Sequence, residues 1–234
     1  LSAEELKRYS RQMKLKGFGA EGQTRLKNAH VLVIGAGGLG SPVLLYLAST
    51  GVGHITVLDN DTVDISNLQR QVIHTTEDLD RPKVQSAKEK MLSINPLIDV
   101  RVVEKRASQA NLKAFVEESD FVLECTDSFA TKYLVNDVCV ECGKPFCIAG
   151  IEGFRGQIMT HTEGTATYRD IFPRANAEAE SCSAIGVLGS AVGILGTIQA
   201  TEAIKYLVGL TDHLLTDRLF LLDALDMQTT VIKL

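Results

Sequence analysis

The chain has 234 residues, 45% of them hydrophobic and 23% charged, an ordinary globular composition with enough apolar material for a sizeable core. A net charge of −5 without any long Lys/Arg run argues against a generic nucleic-acid binder, whose affinity rests on neutralising phosphates. The five cysteines, at 125, 139, 142, 147 and 182, are an odd set, which argues against a disulfide scaffold and for a reducing cytosol.

The opening LSAEELKRYSRQ is charged and amphipathic, unlike a signal peptide. Residues 2–16 read as a helix, with Ser2 as N-cap and Glu5 as its capping-box partner. KGFGAEGQTRLKNA is a Gly-rich connector followed by a short helix. HVLVIG (30–35) is a continuous β-branched run, the mark of a strand buried on both faces. GAGGLG then opens a helix through about Ser49, with Pro42 tolerable in its first turn. HITVLD (54–59) is the second strand and completes a βαβ unit.

The alternation continues more loosely. RPKVQSAKEKMLSINP is a helix ended by Asn95-Pro96, DVRVVEK a strand, LKAFVEES a helix, DFVLECT a strand, FATKYLVNDVCVECG a helix and PFCIAGI a strand. After Gly150, GQIMTHT alternates as an exposed antiparallel strand would, and residues 163–182 read as a long polar loop. A helix over 183–208 follows, and LFLLDAL with TTVIKL closes an antiparallel pair. The uncharged run from Ser181 to Thr201 is long enough for a membrane span. Its four glycines, polar residues and missing cationic flank make it a buried, close-packed helix instead. Gly189 and Gly193 there are spaced for close backbone approach, which a dimer interface or tight core packing would equally explain. The fold class is therefore α/β: Rossmann-like, a mainly parallel sheet with helices on both faces, extended by antiparallel strands in the C-terminal part.

Gly35, Gly37 and Gly40 fit G-x-G-x-x-G, with Gly38 as an extra glycine, at the mouth of the first helix. Backbone N–H groups and the helix dipole there suit phosphate oxygens. Asp59, 19 residues after Gly40, ends the next strand, where a carboxylate accepts from ribose hydroxyls. Hydride transfer asks for little positive charge near a diphosphate, whereas chemistry on phosphate asks for much more. Asn67, Gln69, Arg70 and Lys83 follow Asp59, and Arg70 and Lys83 become phosphate clamps if this segment folds back over the nucleotide; otherwise each is a solvated cation. Asp127 ends a strand on the same carboxyl edge. It is suited either to hold Mg²⁺ against phosphates or to cap the next helix.

RYSRQ, VLVIGAGGLGSPVLLYLASTGVGHITVLDNDTVDISNLQRQ, RPKVQSA, ECTDSFATKYLVND and GFRGQI together resemble the ThiF/MoeB/HesA family, bacterial relatives of the ubiquitin-activating enzymes. The resemblance runs from about Tyr9 to the last strand, and SNLQRQ followed by RPK is its most specific part. It implies a single adenylation domain over 1–234: N-terminal helices in 1–28, a nucleotide-binding part in 29–150, and antiparallel strands, crossover loop and Gly-rich helix in 151–234. It further implies MgATP-dependent adenylation of the C-terminal glycine of a small ubiquitin-like sulfur carrier ending in Gly-Gly, with release of pyrophosphate. A sulfur donor such as a cysteine desulfurase would follow, feeding thiamine, molybdopterin or another sulfur-containing product. In that reading Gly35, Gly37, Gly38 and Gly40 line the ATP site and Asp59 holds the ribose. Asn67, Arg70 and Lys83 contact phosphates, and Asp127 binds Mg²⁺. Arg11 reaches into a second copy's site, so a cytoplasmic homodimer is implied, with no role for nucleic acid or membrane. The competing readings are an NAD(P)-dependent oxidoreductase and a non-catalytic relative; the intact set of Arg11, Arg70, Lys83 and Asp127 argues against decay.

Two departures stand out. The segment that in many members carries the first zinc Cys-x-x-Cys pair reads TYRD here, with Thr167 and Asp170 at the cysteine positions, so no Cys₄ zinc site is expected. Cys139 and Cys142 lie on a helix with no second pair and read as ordinary cysteines. Cys182 matches a cysteine that links to the carrier in some members, and a covalent role and a bland one both remain open.

Overall fold

The computed structural model describes residues 1–173 and 186–234. A short helix α1 (Ala3–Arg8) and α2 (Gly19–Asn28) precede β1 (His30–Ile34), α3 (Gly40–Thr50) and β2 (His54–Leu58). Then follow α4 (Lys83–Ile94), β3 (Asp99–Val103), α5 (Gln109–Glu117), β4 (Phe121–Glu124), α6 (Phe129–Glu141) and β5 (Phe146–Glu152). The remainder is β6 (Arg155–His161), α7 (Tyr168–Ile171), α8 (Gly189–Val208), β7 (Arg218–Asp223) and β8 (Gln228–Lys233). All eight strands join one sheet in the order β3-β2-β1-β4-β5-β6-β7-β8. The first five run parallel, and β6, β7 and β8 are added antiparallel. The order reverses between β2-β1 and β4, the switch point where open α/β sheets leave a crevice at the strands' carboxyl ends.

Apolar strand residues alternate between two cores. Val31, Val33, Ile55, Val57 and Leu123 pack with α3, α4 and α8 on one face, while Leu32, Ile34, Val122 and Ile148 pack with α5 and α6 on the other. That is why β1 reads as a continuous apolar run.

Four boundaries differ from the sequence reading. The first helix stops at Arg8, because Tyr9 leaves it to become buried against Gly51, where its hydroxyl accepts from Asn95 Nδ2 at 2.8 Å. The Ser2–Glu5 capping box is present as expected. β6 is not an exposed strand: Ile158 belongs to one core and Met159 to the other, and Thr160 donates to the buried Glu202 of α8 at 2.7 Å. The polar loop after β6 contains α7, capped by Thr167. Asp170 Oδ2 accepts from the Thr167 N–H and hydroxyl, each at 2.7 Å. Thr167 and Asp170 of the TYRD segment thus form a helix cap. Finally, α8 begins at Gly189 rather than 183. Its residues Ala191, Leu195, Gln199 and Ala203 are buried, and among the described residues no helix is long and apolar enough to cross a membrane.

Candidate functional site

The glycine turn joins β1 to α3 directly above the switch point. Gly35 takes φ +97°, and a Cβ there would stand 2.9 Å from the Cys125 carbonyl oxygen. A Cβ on Gly40 would collide with the Gly35 carbonyl, so the turn closes tightly only with glycine at both ends. Between them Ala36 is fully buried and held twice: its N–H donates to Asp59 Oδ2 at 2.7 Å, and its carbonyl accepts from His74 Nε2 at 2.9 Å. Among the described residues, the N–H groups of Gly37, Gly38 and Leu39 have no protein acceptor. They are free donors at the start of a helix.

The segment after β2 folds back over this turn, as the clamp reading requires. Asp59 Oδ1 accepts from the Asp61 N–H at 2.9 Å, and Asp61 accepts an ion pair from Lys83 Nζ at 3.0 Å. Lys83 opens α4 and is only 6% exposed, so its ammonium is committed to the cleft wall. Arg70 runs past Gly38 and donates to the Ser66 carbonyl at 3.1 Å. Asn67 is employed differently: Asp64 caps the short turn Ile65–Asn67, and Asn67 Oδ1 accepts from the Asp64 N–H at 3.3 Å. Its side chain does not line the cleft.

A cavity of about 1360 Å³ occupies the carboxyl edge. Gly35, Gly37, Gly38, Asp59, Arg70, Lys83 and Asp127 all line it. Asp127 does not cap α6. Ser128 does, accepting from the Thr131 N–H at 3.3 Å, and Asp127 has no hydrogen-bond or ion-pair partner among the described residues. Arg11 lies elsewhere, exposed beside Gln12, whose side chain bonds Thr50 at the far end of α3. Arg11 is not among the residues lining the cleft of its own chain. Cys182 lies outside the described residues. Cys139 is buried in α6 and Cys142 caps it, and burial raises both thiol pKa values.

α8 forms the remaining wall. Gly189 lies against the Gln69 carbonyl, Val192 against Gly38, and Gly196 against the Leu39 carbonyl and Pro42. Among the described residues nothing lies within 4 Å of where a Gly193 Cβ would stand. Close backbone approach to the described residues therefore accounts for Gly189 but not for Gly193.

Three groups were not found by reading the sequence. The first is the buried ion pair of Lys132 with Glu124, at 2.5 Å. Glu124 also accepts from the Thr126 N–H at 2.9 Å and from its hydroxyl, while Lys132 donates to the carbonyls of Thr126 and Ala149, both at 2.7 Å. Burial raises the Glu124 pKa against the pull of Lys132. The pair grips the residue immediately before Asp127. The second is His74, whose Nδ1 meets Ser86 Oγ at 2.8 Å and whose pKa is lowered by burial. Nearby Asp78 is held well below the usual carboxylate range. Burial opposes this, but Thr75, Lys90 and Ser86 outweigh it. The third is Gln71, which is 4% exposed and lines the cleft beside Gly37, with its Oε1 buried and without a partner. No periodic pattern in the sequence marks any of these.

Free N–H groups at a helix start and a cradle that a Cβ would fill fit a phosphate-bearing ligand, while the buried Gln71 Oε1, an acceptor, suits a donor group such as a hydroxyl or amine of the same ligand. Asp127 fits one cation held jointly with ligand oxygens, the habit of Mg²⁺; among the described residues no set of three His, Cys, Asp or Glu could hold a metal alone.

Comparison with known proteins points the same way. The ThiF family profile matches residues 9–234. Over 241 aligned residues, the chain is 46% identical to a probable adenylyltransferase/sulfurtransferase, MoeZ, of Mycobacterium tuberculosis, covering all of this chain and 61% of that protein. It therefore spans less than two thirds of that relative's length. It is 43% identical to the sulfur carrier protein ThiS adenylyltransferase of Escherichia coli, over 87% of this chain and 82% of the relative. The crystal structure of E. coli MccB superposes with a TM-score of 0.86 at 22% identity, over all of this chain and 71% of MccB, a likeness of fold.

Proposed function

The chain belongs to the ThiF family, and from that premise we propose that it adenylates the C-terminal carboxylate of a ubiquitin-like sulfur carrier protein at the expense of ATP. One observation carries the reading: Arg70, Lys83 and Asp127, which has no partner among the described residues, face a single cleft together with the glycine turn. An oxidoreductase has no use for that set.

The substrate carboxylate is already ionised and needs no base. Its oxygen bonds to the α-phosphorus while the bond to the bridging oxygen breaks, and pyrophosphate leaves with that electron pair. Two anions must meet, so Arg70 and Lys83 lower the repulsion and orient the leaving group. Asp59 serves the ribose while bracing the turn. Asn67 acts by shaping the loop that presents Arg70. Asp127 would hold Mg²⁺, which neutralises phosphate charge when bound.

Arg11 is exposed and does not line its own chain's cleft, which supports its service to a second copy in a homodimer. Cys182 is proposed as a possible point of attachment for the carrier, with a cysteine desulfurase as sulfur donor downstream. Residues 1–234 act as one adenylation unit, since α8 walls the nucleotide cleft.

The test is ATP–pyrophosphate exchange with each small Gly-Gly-ending protein of the source organism. Exchange with one carrier supports the reading, and exchange with none overturns it.

A further inference from the structure

The two peptide units around Ala36 are fixed from opposite ends. Asp59 takes the N–H of the first and His74 takes the carbonyl of the second, whose far end is the Gly37 N–H. No cis peptide is present, and in a trans unit the carbonyl and the N–H point in opposite directions. His74 is 4% exposed and lies behind the turn, whereas Gly37 lines the cleft.

We propose that His74 is a positioning residue: by drawing the Ala36 carbonyl inward it turns the Gly37 N–H outward, as a fixed donor for a ligand phosphate. The ring is itself aimed. Its Nε2 faces a carbonyl, which only accepts, so Nε2 carries hydrogen, and Nδ1 meets the Ser86 hydroxyl on α4. Ser86 is fully buried, so the tether is rigid. Without the ring, the buried Ala36 carbonyl loses its partner and the peptide is free to flip. Gln71, the other side chain beside Gly37, offers the carbonyl no substitute, because its amide is on the cleft side.

The inference rests on the nucleotide reading and is separable from it by experiment. Dissociation constants for ATP and for adenosine are measured by calorimetry on the full chain, in wild type, His74→Leu and His74→Gln, with thermal midpoints alongside. His74→Leu weakens ATP about tenfold or more, the scale of one lost hydrogen bond to a charged group, and leaves adenosine within about twofold. His74→Gln, which keeps an N–H donor near the Nε2 position, recovers most of the ATP affinity. A purely structural role would shift both ligands or the midpoint alone. An unchanged ratio of ATP to adenosine affinity in His74→Leu, or a glutamine variant no better than leucine, overturns the inference. Should His74→Leu fail to fold, Ser86→Ala leaves the ring and removes its tether; a selective loss of ATP affinity supports the inference, and none overturns it. A wild-type chain that binds no ATP overturns the nucleotide reading and this inference together.

Discussion

Lys132 spends every hydrogen of its ammonium on three acceptors, and one of them, Glu124, lies eight residues earlier at the end of β4 with no exposed surface. Each charge compensates the other where water cannot reach. Removing one partner therefore strands the other. Lys132→Met is expected to destabilise the chain by about 3–5 kcal/mol in denaturant unfolding. Adding Glu124→Gln to it should recover part of that loss, a coupling that a double-mutant cycle reads directly.

Asp127 presents the opposite case, a carboxylate without a hydrogen-bond or ion-pair partner among the described residues. Asp127→Ala should leave stability within about 0.5 kcal/mol of wild type. Pyrophosphate exchange should fall by about a hundredfold or more. Near-normal exchange would refute the metal role.

Two glycines should respond to alanine with opposite signs. Gly40→Ala places a methyl on the Gly35 carbonyl, so the turn must open, lowering the thermal midpoint and ATP affinity together. Gly193→Ala meets nothing among the described residues and replaces a poor helix former in the middle of α8, a gain of about 1 kcal/mol. A loss on Gly193→Ala, measured under the same conditions, would mean that another surface already fills that space.

His74 gives stability a pH dependence of definite sign. Burial lowers its folded pKa below the ordinary 6.5, so the unfolded chain takes up the proton first. Its contribution is intact above about 6.5 and is lost as pH falls from there through the folded value. Urea midpoints at pH 7.5 and 5.5 should therefore diverge more in wild type than in His74→Gln. Equal divergence would contradict the shift.

The parallel half of the sheet could be read from the chain because its determinants are local: unbroken apolar strands, the glycine turn and a proline before α4. So could Asp59, Arg70 and Lys83, whose spacing from the turn places them over it. What escaped was decided by tertiary neighbours. GQIMTHT has the alternation of a half-exposed strand, yet Thr160 is polar because Glu202 awaits it from α8. Nothing in the spacing of Lys132 and Glu124 predicts that both are buried. Asn67 was assigned to phosphate by resemblance, while the loop uses its oxygen to close a cap on Asp64.

The placement of α8 bears on how this chain becomes competent during synthesis. Gly189 and Gly196 touch the backbone of the Arg70 loop and of the glycine turn, segments completed more than a hundred residues earlier. The glycine motif, Asp59, Arg70 and Lys83 all emerge from the ribosome while one wall of their cleft is still untranslated. Tight nucleotide binding thus becomes a late event, and a ligand that binds only the finished site stabilises whole chains over fragments.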